Sequence, residues 1–133
     1  MNPRPIYLDS SAVVKLVFEE AETPALEAFL VDRPVRVSSS LARIEVLRVA
    51  RSVSDGLVSR HANQVLAALT LIAPDAALLA DAADLDPISL RALDAIHLAT
   101  AVALVPDIDG IVVYDLQLAE AARQAGLTVW APA

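Results

Sequence analysis

Four carboxylates occupy positions where an acidic side chain is unexpected. Two of them end short apolar runs, at 6–8 and 111–114, and the other two interrupt the apolar stripe of a predicted helix, with apolar residues four positions before and after. A carboxylate on a buried face is unfavourable unless it is paired or bound to a metal. The candidate site residues are Asp9, Glu45, Asp94 and Asp115.

The chemistry that such acids could share is the binding of a hard divalent cation. Like charges about 4 Å apart repel by roughly 4 kcal/mol at the effective dielectric of a protein surface. Carboxylate oxygens, in a chain without cysteine, select Mg²⁺ or Mn²⁺. For each acid alone an ion pair is an equally good interpretation, since Arg48 is one turn from Glu45 and Arg91 is three residues before Asp94.

Short apolar runs that alternate with amphipathic segments must position these acids. We predict strands at 6–8, 35–37, 69–73, 111–114 and 127–130. We predict helices at 12–20, 24–31, 41–51, 59–68, 75–85, 89–104 and 116–125. Ser10 or Ser11 is the expected cap of the first helix. This alternation predicts one α/β domain over residues 1–133, with a parallel sheet flanked by helices.

Composition narrows the function classes. The net charge of −7 argues against tight, non-specific binding of nucleic acid by the chain alone. It does not argue against a nuclease, because acids that hold Mg²⁺ present a positive centre once loaded. No apolar run approaches the roughly 20 residues that cross a bilayer, so we expect a cytoplasmic protein with no membrane association.

Four motifs resemble the PIN-domain family, and most closely its VapC-type toxins. They are Tyr7-Leu8-Asp9-Ser10-Ser11-Ala12, Ile44-Glu45-Val46-Leu47-Arg48, Leu93-Asp94-Ala95-Ile96-His97-Leu98-Ala99-Thr100-Ala101 and the segment from Val113-Tyr114-Asp115 to Arg123. The resemblance covers nearly the whole chain, in order and at family-like spacing.

The resemblance implies a three-layer fold with about five parallel strands flanked by helices. It also implies a toxin of a type II toxin–antitoxin pair, which cleaves RNA with Mg²⁺ or Mn²⁺ and forms a homodimer. A cognate antitoxin protein would block its site. Carried over by motif, Asp9, Glu45, Asp94 and Asp115 would hold the metal, with possible support from Ser10. Val113 departs from the Thr or Ser that the family often has two residues before its last acid.

Other functions fit the residues less well. A receiver-type phosphate-transfer domain needs a lysine after a late strand, whereas the only lysine is Lys15, and a haloacid-dehalogenase-like phosphatase needs an acid at position 11, which is serine. The alternative that stays open is a catalytically inactive PIN-like module that binds a partner protein. For His97, a hydrogen-bonded structural role is favoured over catalysis.

Overall fold

The computed structural model describes residues 3–53 and 55–133, and within them every predicted strand and helix has a counterpart. The strands are β1 (Ile6–Leu8), β2 (Arg36–Ser39), β3 (Thr70–Ile72), β4 (Ile111–Val112) and β5 (Val129–Trp130). The helices are α1 (Ser10–Val17), α2 (Thr23–Leu30), α3 (Leu41–Ser52), α4 (Gly56–Ala67), α5 (Ala76–Ala83), α6 (Ala92–Leu104) and α7 (Leu116–Gln124). None of these described helices combines the length and the apolarity needed to cross a bilayer.

The strands form one sheet in the order β3-β2-β1-β4-β5, and every pairing is parallel. In the central pair, Leu8 of β1 lies opposite Val112 of β4. The segments that follow these two strands therefore leave the same edge of the sheet side by side, which is where open α/β sheets place their ligands.

Each face of the sheet has its own apolar core, because neighbouring residues of a strand point to opposite faces. Ile6 and Leu8 pack with α1 to α4 on one face. Tyr7 packs with α5, α6 and α7 on the other. The result is the three-layer arrangement that the sequence predicts.

Three predicted helix starts were wrong, and α4, expected from position 59, begins at Gly56 with Asp55 as its N-cap. Helix α1 begins at Ser10, and its N-cap is Asp9 rather than a serine, since the Asp9 side chain accepts a hydrogen bond from the Ala12 N–H. Helix α6 begins at Ala92 rather than at position 89, because the preceding residues turn back on themselves with the Leu90 N–H bonded to the Pro87 carbonyl. The later start of α6 leaves Arg91 just outside the helix as its N-cap, where its side chain can reach beyond α6.

Candidate functional site

Helices α1 and α7 begin at the edge of the sheet where β1 and β4 end, and an aspartate caps each of them. Asp9 Oδ1 accepts hydrogen bonds from the Ala12 N–H at 3.0 Å and the Ser11 hydroxyl at 2.6 Å. Asp115 Oδ1 accepts from the Leu118 N–H at 2.9 Å. In each case the cap uses Oδ1, and Asp9 Oδ2 accepts no hydrogen bond within the described residues. The positive ends of two helices therefore lie beside two carboxylates that keep an oxygen for another ligand.

The two junctions are tied together by one further bond. Ser11 Oγ, which donates to Asp9, also accepts a hydrogen bond from the Tyr114 N–H at 3.2 Å. The short Ser11 side chain thus links the β1–α1 connection to the β4–α7 connection and helps to fix the separation of the two caps.

Arg91 links Asp94 to Asp115. Its Nε lies 3.1 Å from Asp94 Oδ2, and its terminal nitrogen lies 3.4 Å from Asp115 Oδ2. The Arg91 side chain is 71% exposed, whereas that of Asp94 is 14% exposed. A single exposed cation thus bridges two acids that belong to different helices.

Glu45 belongs to a separate hydrogen-bonded group behind these acids. Its Oε1 accepts from the Ser10 hydroxyl at 2.5 Å and from His97 Nε2 at 2.9 Å. His97 is 1% exposed, and its Nδ1 lies 2.8 Å from the Tyr7 hydroxyl. A neutral imidazole with its proton on Nε2 satisfies this network, because the Tyr7 hydroxyl can then donate to Nδ1.

The pKa values of Asp9 and Glu45 are shifted in opposite directions. Burial raises the pKa of Asp9 to about 6, against the opposing hydrogen bonds from Ser11 and Ala12, and the negative charge of Asp94 adds to the rise. Burial also acts to raise the pKa of Glu45, but the hydrogen bonds from His97 and Ser10 outweigh it and hold that pKa below its usual value. Burial therefore outweighs the favourable interactions of Asp9, whereas Glu45 is stabilised as a carboxylate.

As the side chains stand, no three Asp, Glu or His residues in 3–53 and 55–133 are gathered so that they could hold a metal ion. The reason is that Glu45 is bonded to Ser10 and His97, while Asp94 and Asp115 are directed at Arg91. The donor chemistry nevertheless fits a hard cation, since the ligands are carboxylate oxygens and a guanidinium already supplies positive charge between two of them. An exposed arginine can move aside at small cost.

The structure resolves several alternatives that the sequence left open. Arg91 does pair with Asp94, and within the described residues Arg48 makes no ion pair with Glu45. His97 has the hydrogen-bonded structural position that the sequence favoured. Ser10 supports Glu45 by a direct hydrogen bond. Val113 is 1% exposed and packs in the apolar core, so the family's hydroxyl at this position has no counterpart here.

The bonds of Glu45 to Ser10 and His97 and the bond between Ser11 and Tyr114 were not predicted from the sequence, and neither were two other contacts of the site. One is the link from Arg91 to Asp115, for which residues 24 positions apart give no local signal. The other is the bond from Tyr7 to His97. A signal for the second was available, because a tyrosine in a fully buried strand between aliphatic residues needs a hydrogen-bond partner for its hydroxyl.

The amino-acid sequence is similar to those of ribonucleases with a PIN domain. A family model described as PIN domain matches residues 6–124. The protein is 46% identical to the protein named Ribonuclease VapC46 of Mycobacterium tuberculosis over 96% of this chain and 97% of that one. It is 42% identical to Ribonuclease VapC35 of the same organism over 96% of each chain.

Two solved structures share the fold at lower identity. The crystal structure of M. tuberculosis VapC20, titled a sarcin-ricin loop cleaving toxin, superposes with a TM-score of 0.72 at 16% identity, over 92% of this chain and 96% of that one. A chain of a toxin–antitoxin complex from Klebsiella pneumoniae superposes with a TM-score of 0.65 at 18% identity, over 83% and 86%.

Proposed function

Because this chain belongs to the PIN-domain family, and within it to the VapC-type ribonuclease toxins, we propose that it is a metal-dependent endoribonuclease with its site at Asp9, Glu45, Asp94 and Asp115. The observation that carries the proposal is that Asp94 and Asp115, from different elements, share one cation beside the buried Asp9. Three acids at one sheet edge with a single exposed arginine among them are an arrangement that a divalent ion would stabilise.

The residues divide into ligands and supports. Asp9, Asp94 and Asp115 would hold a Mg²⁺ or Mn²⁺ ion, directly or through water, with Asp9 contributing the oxygen that its helix cap does not use. Such an ion supplies an activated water and neutralises charge on a phosphodiester. Helices α1 and α7 fix two of the ligands at their N-termini, so little ordering is needed when the ion binds.

Glu45 would act beside the ion rather than as its main ligand. Ser10 and His97 fix its carboxylate and keep it ionised, and the Tyr7 hydroxyl fixes the His97 ring by a hydrogen bond to Nδ1. An ionised carboxylate in a fixed position can accept a hydrogen bond from an attacking water and orient it toward the phosphate. Ser10 is then a positioning residue that acts through Glu45.

A protein partner is the second part of the proposal. Exposed apolar residues adjoin three of the four acids in sequence: Ile44 is 60% exposed, Leu93 45% and Leu116 85%. Exposed apolar side chains next to the acids in sequence would be covered by a protein that binds over the site. We assign this surface to a cognate antitoxin, in a type II toxin–antitoxin pair that acts in the cytoplasm, with the toxin itself a homodimer.

Cleavage of a panel of structured RNAs with Mn²⁺, against an EDTA control, tests the proposed activity. Asp94→Asn keeps the size of the side chain but removes the charge, so we expect at least a 100-fold loss of cleavage with an unchanged circular dichroism spectrum. Asp81→Asn, at an exposed acid on α5, is the matched control and should retain full activity.

Two results would contradict the proposal. Equal cleavage by wild type and Asp94→Asn would show that the acids do not carry the activity. Absence of Mn²⁺-dependent cleavage by the wild type, together with binding of a partner protein at the apolar residues around the acids, would favour the catalytically inactive module instead.

A further inference from the structure

Positive charge is distributed unevenly over this acidic chain. The sequence has 10 basic and 17 acidic residues, yet helices α3 and α4 carry four arginines and only one acid, Glu45. These arginines are also the ones whose side chains make no ion pair or hydrogen bond within the described residues. They are Arg43, Arg48, Arg51 and Arg60.

The other six basic residues all make ion pairs or hydrogen bonds within the protein. Lys15, Arg33, Arg91 and Arg123 form ion pairs with acids. Arg4 and Arg36 donate to backbone carbonyls. The arginines without such partners are thus confined to one helix pair, where they give a local excess of positive charge that would attract an anionic ligand.

Two of the four unpaired arginines share a cavity on the helix that carries Glu45. Arg48, Arg51 and Ser52 line a cavity of about 310 Å³ at the C-terminal end of α3. At 100° and 1.5 Å per residue, Arg48 lies about 60° around the helix from Glu45 and about 4.5 Å along it. Arg51 lies about 120° from Glu45 and about 9 Å along the helix, so the cavity lies on the same helix as Glu45 and beyond it, toward the C-terminal end of α3. Arg43 lies about 160° from Glu45, on the opposite face.

We propose that this cavity, which we call the α3 pocket, binds a phosphate of the RNA strand next to the one held at the acids. The inference rests on the proposed function, which supplies RNA as the substrate. Guanidinium groups bind phosphate oxygens in bidentate pairs, and two of them in one pocket match a single phosphodiester. Position favours RNA over an acidic protein, since Arg48 and Arg51 share helix α3 with Glu45, which the proposed function places beside the RNA.

Binding of a fluorescein-labelled 12-nucleotide oligouridylate in EDTA, measured by fluorescence anisotropy between 50 and 200 mM KCl, tests the α3 pocket. For Arg48→Gln/Arg51→Gln we expect at least a tenfold weaker Kd at 50 mM KCl. The slope of log affinity against log salt should fall by about 1.4, or about 0.7 for each arginine that no longer binds phosphate. The matched control Arg43→Gln/Arg60→Gln removes the same charge outside the pocket, and its affinity should stay within threefold of wild type.

Steady-state cleavage with Mn²⁺ separates this inference from the proposed function. The pocket variant should raise KM at least tenfold while kcat stays within threefold, because Arg48 and Arg51 lie away from the acids. Wild-type cleavage with an unchanged KM in the pocket variant would overturn the inference alone. Absence of wild-type cleavage would overturn the proposed function, and the anisotropy arm would then decide the pocket by itself.

A peptide of eight glutamates serves as the probe for an acidic protein partner. Loss of octaglutamate binding in the pocket variant, with oligouridylate binding unchanged, would identify a protein-docking surface and overturn the inference. Equal losses in the pocket variant and in the control variant would mean that overall charge is responsible, and would overturn it too. If the double variant is misfolded by circular dichroism, Arg48→Gln and Arg51→Gln singly should each give about half the change in slope.

Discussion

Asp9 has two roles that conflict in the metal-free protein. As the N-cap of α1 it needs only an oxygen acceptor, which an asparagine also provides. As a carboxylate it is 3% exposed and lies near Asp94, and burial raises its pKa to about 6. The charge is therefore unfavourable for folding alone, and the metal ion that we propose would account for its presence.

Asp9→Asn should stabilise the metal-free protein. The pKa of Asp9 is about 6 in the folded protein and about 3.9 in the unfolded chain, so the folded wild type loses stability as the pH rises between these values. We expect the free energy of unfolding of the variant to exceed that of wild type by about 3 kcal/mol above pH 7, and the difference to vanish below about pH 4. Urea denaturation in EDTA over this pH range measures it.

Asp75→Asn is the control for the Asp9 substitution, because Asp75 caps α5 by the same kind of bond but is exposed. It should show no such gain between pH 4 and 7. A variant Asp9→Asn that is less stable than wild type at pH 7.5 would mean that the ionised carboxylate already has a stabilising partner in the protein.

At the scale of elements, the sequence predicted the order and type of every strand and helix, because apolar periodicity records which face of each is buried. It failed at the starts of α1, α4 and α6. A run such as Asp9-Ser10-Ser11 offers three good caps, and the choice depends on where β1 ends in the sheet. Arg91 was expected inside a helix, and its position before α6 follows from the turn at Pro87.

Arg91 links the N-terminal ends of α6 and α7, and its replacement should strengthen metal binding. Exposed ion pairs contribute roughly 0.2–1 kcal/mol each, so Arg91→Gln, which removes two of them, should change the stability of the metal-free fold by no more than about 2 kcal/mol. An ion that no longer competes with the guanidinium should bind about fivefold more tightly, which corresponds to about 1 kcal/mol. Isothermal titration calorimetry with Mn²⁺ measures this affinity.

Arg123→Gln is the matched control for Arg91→Gln, since Arg123 pairs with Glu120 on the same helix α7 at 3.7 Å, away from the acids. Its Mn²⁺ affinity should equal that of wild type. Weaker Mn²⁺ binding by Arg91→Gln would instead show that Arg91 supports the loaded site, for example by orienting Asp94.

For the molecule as a whole, the sequence indicated which acids approach one sheet edge but not how their side chains are directed. Strand ends and helix faces follow from local patterns, which is why Asp9, Glu45, Asp94 and Asp115 could be selected among 17 acids. The division into a Glu45–Ser10–His97 group and an Asp94–Arg91–Asp115 group depends on contacts between residues 24 to 87 positions apart. Such contacts leave no trace in periodicity.

A divalent ion should stabilise the entire fold, because its proposed ligands come from the β1–α1 junction, α6 and the start of α7, which are far apart in the chain. An ion that binds only the folded state adds about 2.7 kcal/mol at 100 times its Kd. For a chain of 133 residues we expect a rise in Tm of about 10 °C with Mn²⁺, measured by circular dichroism. Asp94→Asn should lose most of this rise and Asp81→Asn none of it. Because the measurement needs no RNA, an equal rise in wild type and Asp94→Asn would place the ion elsewhere, even if cleavage itself depended on Mn²⁺.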